Sequence, residues 1–359
     1  MEDKSSQTLA TELAMKYREI NDGFDSPFVV KLTSRGFYSE VNNALNAVVY
    51  GLLTQRRLSF DQSEFMKAPH IAPLSPIPRY YLRKRNKLTS FLQRTIDGQS
   101  SLSGPLCRPR AANWTDFYTQ QLPSLSRSAL ENIDPNSIIE TFRHPGFSEF
   151  RTFVFRKHDN QSHINIEQLG IRGNVYQAKR ILAAIFCKPR EKTIIPPRLG
   201  ERFAAFQIRR GDKTEGYWVR SQNHSNIYMS PKLMKEGQEI PTISYLNSLI
   251  AEMPELKHVF VMTDDYTTVE QLRAEAPQIH FETLNTPADR GYRQKAFDRL
   301  SLREKLRSIR QLVSETQIAA SSCFFLGGYK SNVARFITLQ HQDPGRCYSV
   351  DDDREWSPL

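Results

Sequence analysis

Apolar residues recur along this chain in two rhythms. FVVKL at 28–32 and RRLSF at 56–60 are apolar runs of strand length. Between them, SEVNNALNAVVYGLLTQ sets Val41, Leu45, Val48 and Leu52 at three- and four-residue intervals, the period of a helix with one buried stripe. Strand, glycine-containing turn, helix and strand form a βαβ unit, which predicts a parallel sheet. The second half is more regular. RFAAFQI (202–208), HVFVM (258–262), IHFETL (279–284) and CFFLGG (323–328) read as strands, near-continuously apolar because both faces are covered. Helices alternate with them: 240–253, with Ile243, Leu246 and Ile250 on one stripe; 301–313, with Leu302, Leu306, Ile309 and Val313; and 331–341. The alternation predicts an α/β fold with a doubly wound, Rossmann-like domain in the second half.

Punctuation divides the rest. Residues 66–112 are rich in Pro, Ser and basic residues and read as an irregular insertion. The interval 113–150 gives no clear element. A helix at 174–187 precedes KPREKTIIPPRLG at 188–200, a linker because consecutive prolines cannot continue a helix. The expected organisation is a helix and loop over 1–26, an N-terminal domain over 27–195 carrying that insertion, a Rossmann-like domain over 196–345 and a tail over 346–359.

Composition narrows the partners. A length of 359 residues suits two domains, and Lys plus Arg exceed Asp plus Glu by 49 to 39, a net charge of +10 that favours anionic ligands. No apolar run approaches the roughly 20 residues of a membrane span, and the polar N-terminus does not read as a signal peptide. Cys107, Cys187, Cys323 and Cys347 lack metal-ligand spacing and read as free thiols, which predicts a cytoplasmic protein in which the sequons at Asn113, Asn160 and Asn223 are chance matches. Walker, GxSxG and zinc patterns are missing from the sequence, as is an RNA-binding signature, so no nucleic-acid partner is expected.

Three strand ends carry candidate chemistry. The first strand of the second half runs into Arg209-Arg210-Gly211-Asp212-Lys213, the next into Thr263-Asp264-Asp265, and the last into Gly327-Gly328-Tyr329-Lys330-Ser331-Asn332. Paired arginines suit phosphate oxygens, and where no metal serves they can neutralise a departing pyrophosphate; the alternative is a pair bridged to neighbouring acids. The glycines and helix start of the third cluster suit an anion; the alternative is plain capping by Ser331. Adjacent Asp264 and Asp265 diverge at a strand end, so helix capping is favoured over metal binding. If the strands are neighbours, all three clusters meet at one crevice.

RRGDK, TDD and ETQIAASSCFFLGGYKSNVAR, in this order and spacing, together with TSRGFYSEVNNALNAVVYGLLTQRRLSF, resemble the α1,6-fucosyltransferase superfamily: core and nodulation fucosyltransferases and, more distantly, protein O-fucosyltransferases. The resemblance covers roughly 28–60 and 196–341. It implies a GT-B-like architecture, two Rossmann-like domains facing a cleft, and an inverting enzyme with GDP-fucose as donor and neither metal nor cofactor. It assigns Arg209 and Arg210 to the donor pyrophosphate, and Asp212, Lys213 and Glu215 to donor contacts and a catalytic base. It further assigns Asp264 and Asp265 to the nucleotide pocket, Glu315 to the guanine edge, Ser331, Asn332 and Arg335 to the phosphates, and Gly36 to the donor side. Gln207 stands where core enzymes have His, and Glu315 where they have Asp. The animal enzymes' coiled-coil and SH3-like modules have no counterpart.

These readings converge on an inverting transferase that moves L-fucose from GDP-β-L-fucose to a glycan hydroxyl, α1,6 to N-acetylglucosamine being one linkage. Arg210, Glu215 and Asp212 are the catalytic candidates. Alternatives are a transferase of the same fold with another nucleotide sugar or a protein acceptor, and a non-catalytic basic protein binding nucleic acid or anionic glycan. Acceptor, linkage and oligomeric state are not read from the sequence.

Overall fold

The computed structural model describes residues 4–34, 36–68, 111–124, 138–140, 164–212, 217–220, 226–229 and 239–351. Most of the expected irregular insertion lies outside these residues, as do Lys213, Glu215 and Cys107.

The first half begins with helix α1 (Lys4–Asp22) and the βαβ unit read from the sequence: β1 (Ser26–Lys31), α2 (Phe37–Thr54) and β2 (Arg56–Asp61). β1 and β2 are parallel, in register from Ser26 opposite Arg56 to Lys31 opposite Asp61. β3 (Ile138–Glu140) joins the other side of β1, also parallel. The antiparallel pair β4 (Ile164–Ile166) and β5 (Ile171–Gly173) leads into α3 (Val175–Phe186). Asn174 and Gln177 close a capping box at its start, each side chain accepting from the other's backbone N–H.

The second half is built around β6 (Ala204–Ile208), buried at every position. After the hairpin β7 (Tyr217–Arg220) and β8 (Asn226–Met229) come α4 (Thr242–Glu252), β9 (His258–Thr263), α5 (Thr267–Glu275) and β10 (His280–Glu282). Then follow α6 (Gln294–Asp298), α7 (Leu302–Ala320), β11 (Phe324–Gly327), α8 (Asn332–Gln340) and β12 (Cys347–Ser349). The five parallel strands stand in the order β10-β9-β6-β11-β12. The chain thus winds outward from β6 twice, once to each edge.

Both faces of this sheet are covered, which is why its central strands β9, β6 and β11 are almost wholly apolar. Ala204, Phe206 and Ile208 face Tyr245, Leu246 and Leu249 of α4 and Val269 and Leu272 of α5. Ala205, Phe260 and Phe325 pack with Ile318 and Ala319 of α7 and Ala334 and Ile337 of α8. The stripe expected on α4 is corrected: Tyr245, Leu246 and Leu249 are buried, while Ile243 and Ile250 are about half exposed, at 47% and 50%. The error lay in following Ile243 and Ile250, seven apart, instead of the 245–246–249 face.

The two halves share a core. Ile309 and Val313 of α7 and Phe336 and Leu339 of α8 are buried among residues of α2 and α3. The Tyr38 and Phe336 rings lie 4.5 Å apart. Asn42 donates to Asn332 O (3.0 Å), Tyr176 to Thr338 O (2.9 Å) and Arg180 to His341 O (2.8 Å). The nearly all-round burial of α2 follows: one side faces its own sheet and another faces α8. No helix among the described residues is long and apolar enough to cross a membrane. Cys187, Cys323 and Cys347 are free thiols.

Candidate functional site

The winding order places a topological switch between β6 and β11, and in such sheets ligands bind outside the carboxyl ends of the strands at that point. β9, β6 and β11 are neighbours, so the three strand-end clusters do open onto one crevice. Its volume is about 2120 Å³, and its walls come from both halves of the chain.

At the end of β6 the chain turns through Gly211, whose φ of +65° is a region that side chains with a Cβ rarely occupy. A Cβ here would lie 2.4 Å from Tyr292 O. This close crossing lets Asp212 N donate to Tyr292 O at 2.9 Å. The carboxylate of Asp264, from the end of β9, ties the crossing together. It accepts from Arg210 N (2.7 Å) and Tyr292 N (3.2 Å) and pairs with the Arg209 guanidinium at 3.3 Å.

Arg209 is thereby aimed on three sides. Besides Asp264, it bonds Asp212 at 3.1 Å and lies over the Tyr292 ring, 4.8 Å from its centre. Arg210 is buried, donating to Ile240 O (2.9 Å) and Arg209 O (3.2 Å) and approaching Glu239 at 3.3 Å. Both arginines line the crevice. They are bridged to acids, as the alternative reading had it, yet they also stand at the ligand position; the bridges fix a guanidinium that would otherwise lose rotamer freedom on binding.

The third cluster meets them from β11. Ser331 caps α8 by accepting from Ala334 N, and Ser331 N donates to Gly328 O, closing the turn. Ser331, Asn332 and Val333 line the crevice, so the N-terminus of α8 opens on it. The start of α2 does so as well, at Gly36, Phe37, Tyr38 and Ser39. Two helix N-termini, each a positive dipole end, thus border the space beside two arginines. Gly36 has φ −52° and nothing within 4 Å of where a Cβ would be. Neither backbone nor packing demands glycine there.

Deeper in, Gln207 and Glu315 are both buried and both line the crevice. Gln207 Oε1 has no hydrogen-bond partner among the described residues. Burial pushes the Glu315 carboxyl up to about 7, the carboxylates of Asp289 and Asp264 add to the rise, and the hydrogen bond from Gln311 (2.9 Å) opposes it. An orphaned amide oxygen and a carboxyl of easily reversed charge thus line one crevice as polar groups able to take a ligand's donors.

Two of the sequence candidates stand apart. Asp265 accepts from Thr267 N (3.0 Å) and Thr267 Oγ1 (2.8 Å), shaping the start of α5, and does not line the crevice. Arg335 supports the β11 turn from behind, donating to Tyr329 O at 2.7 Å with its guanidinium 4.9 Å from the Tyr329 ring centre. Glu215 and Lys213 lie outside the described residues. Asp212, by contrast, is in the wall with both carboxylate oxygens engaged, one by Arg209 and the other by Gln294 N at 2.8 Å. Among the described residues no group of three or more His, Cys, Asp or Glu could hold a metal ion.

Sequence reasoning missed the loop 285–294, including Tyr292 and Gln294, and Asp351 after β12, which accepts from Tyr329 N at 2.6 Å. Gly291 in a polar loop beyond β10 was the one available signal; its φ is +83° and it packs against Gly211.

No protein-family model matches the chain, and no curated protein sequence matches it. Solved structures of similar arrangement include the fucosyltransferase NodZ from Bradyrhizobium, at 12% identity and TM-score 0.43, covering 88% of this chain and 94% of that one. POFUT1 in complex with GDP is similar at 9% identity and TM-score 0.41, covering 91% and 98%. A mutant of Arabidopsis thaliana FUT1 in complex with GDP follows at 10% identity and TM-score 0.37, covering 97% and 74%. At such low identity and score, the functional case rests on the crevice itself and on the motifs that border it.

Proposed function

We propose that the crevice binds a nucleoside-diphosphate sugar, GDP-fucose by the motif resemblance, and that the protein transfers L-fucose with inversion to a hydroxyl of a glycan acceptor. The observation that carries this reading is the meeting of Arg209, Arg210 and the N-terminus of α8 at the switch between β6 and β11. A diphosphate is the ligand group that two fixed guanidinium ions and a helix N-terminus match together.

In this reading the acceptor hydroxyl attacks the anomeric carbon in line. The C–O bond to the β-phosphate breaks, and negative charge grows on the departing oxygen. Arg209 and Arg210 are already oriented by Asp264, Asp212 and Ile240 O, so they stabilise that charge with little reorganisation. Asp212 serves mainly to hold Arg209, because both its oxygens are engaged. Removal of the acceptor proton is assigned to Glu215. Gln207 and Glu315 take the base: ionised Glu315 accepts from two donors on the guanine edge, and the orphaned Gln207 oxygen accepts a third hydrogen bond.

The test is calorimetric titration with GDP, UDP and ADP, followed by turnover with GDP-fucose. Selective binding of GDP is expected, and Arg210→Ala should lower turnover by about a hundredfold, the scale of losing one preorganised charge-stabilising donor. Equal affinity for the three nucleotides would point to a different donor. Unchanged turnover in Arg210→Ala would overturn the assignment of the arginines.

A further inference from the structure

The crevice exceeds what a nucleotide sugar fills. At about 2120 Å³ it is roughly twice the upper range of small-molecule pockets, about 1,000 Å³. The donor elements proposed above occupy one end: Gln207, Glu315, the arginine pair and the start of α8. From there α6, whose Gln294 N still bonds Asp212, and the first turns of α7 carry the wall away from the donor elements. At about 1.5 Å per residue, α7 carries the wall about 12 Å from Glu315 out to Arg307.

This outer wall is basic. Lys295, Arg299 and Arg307 are exposed and line the crevice, and among the described residues their charged groups make no hydrogen bond or ion pair. Two acids share the wall. Asp298 accepts from Gln294 Nε2 at 2.7 Å, and its charge acts on the buried Lys305. Glu304 closes the capping box with Ser301, and the charge of Arg307 acts on it. Setting Asp298 against Lys305 and Glu304 against Arg307 leaves Lys295 and Arg299 unopposed. The only aromatic residue of α6 and α7, Phe297, is buried with Lys305 over its ring, so this wall offers a sugar little ring face to stack on. Unopposed cations lining a concave surface concentrate anions there, and a neutral glycan gains little from them.

We infer that the acceptor is an anionic glycan, bearing a carboxylate, sulfate or phosphate that Lys295, Arg299 and Arg307 engage while its hydroxyl faces the donor. This rests on the transferase reading, which it deepens by naming the acceptor's chemistry. The three anions are separable by probe: uronate-containing, monosulfated and monophosphorylated tetrasaccharides, each against the neutral tetrasaccharide of the same length. Calorimetric titration would be run with and without GDP at about 150 mM salt, where only groups within about 8 Å still interact appreciably.

At least one anionic probe should bind about tenfold tighter than the neutral one, a difference near 1.4 kcal/mol, and should weaken as salt rises. Arg299→Glu combined with Arg307→Glu, both at exposed positions, should abolish that preference and leave GDP affinity unchanged. Equal or tighter binding of the neutral probe, or an undiminished preference in the charge-reversed variant, would overturn the inference alone. Absence of GDP binding with the anionic preference intact would remove the donor reading and leave the anionic site standing. No binding of any tetrasaccharide while GDP binds would overturn the inference alone, and binding of neither would overturn both.

Discussion

Gly211 and Gly36 both border the crevice, and the fold asks different things of them. In Gly211→Ala the new Cβ sits at φ +65°, which costs about 1–2 kcal/mol in the left-handed region. It would also lie 2.4 Å from Tyr292 O and 2.6 Å from Tyr292 N, both backbone atoms that cannot swing aside like a side chain. Relief requires the loop around Tyr292 to withdraw. That gives up the bond from Asp212 N (2.9 Å) and the bond to Asp264 (3.2 Å), at about 1 kcal/mol each. The total is about 3–4 kcal/mol, and at about 1.3 °C per kcal/mol for a chain of 359 residues the melting temperature should fall by about 4–5 °C. GDP affinity should fall too, because Tyr292 also underlies Arg209. Gly36→Ala inverts the pattern. With φ −52° and nothing within 4 Å, the methyl group fits the unliganded protein, and stability should stay within about 1 kcal/mol of the parent. The same methyl group enters the crevice, so GDP affinity should drop by about tenfold. Scanning calorimetry and titration of the two variants side by side check both halves. A Gly211→Ala protein that melts with the parent, or a Gly36→Ala protein that binds GDP as the parent does, would refute the reasoning.

Glu315 gives a pH signature. Its folded value of about 7 lies above the ordinary carboxyl value, so its contribution to stability is full in acid and is lost as the pH rises through 7. Glu315→Gln should therefore be more stable than the parent at pH 8, by up to about 3 kcal/mol, with the gap closing toward pH 4 in denaturant titrations. Binding runs the other way: parent GDP affinity should weaken about tenfold per pH unit below 7, while the Gln variant binds weakly with no such slope. Tyr292→Phe keeps the ring beneath Arg209 and should hold GDP affinity near the parent, whereas Tyr292→Ala should lose about fivefold by titration, the scale of a partly desolvated cation–π contact. Lys305, buried against Phe297, donates to Lys67 O at 2.6 Å; Lys305→Ala should cost about 2–3 kcal/mol in denaturant unfolding and leave GDP selectivity unaltered.

What the sequence revealed was set by pattern length. β6, β9 and β11 are buried on both faces, so their apolar runs stood out, and the polar residues after them marked the crevice before any fold was known. α7, α8 and the βαβ unit were legible from their periods. Short elements mostly were not: β4, β5 and β12, three residues each, went unread, while the equally short β10 showed only within the longer run IHFETL. The α4 stripe was misread because Ile243 and Ile250 are apolar without being buried. At the site, chemistry carried by a strand end was found, and chemistry carried by a crossing loop was not. Tyr292 and Asp351 matter through residues distant in sequence, Gly211 and Tyr329, and no local pattern encodes such a meeting.

The shared core bears on how this chain can be divided. The proline-rich stretch before β6 looks like a joint, and a biochemist wanting the five-stranded half alone would cut there. Such a fragment would carry Phe336, Leu339, Ile309 and Val313 into water, and its complement would bare Tyr38 and the matching face of α2. Each piece would have an oily seam shaped for the other. Expressed apart they would aggregate; expressed together they would reassemble as a split protein whose activity reports their reunion.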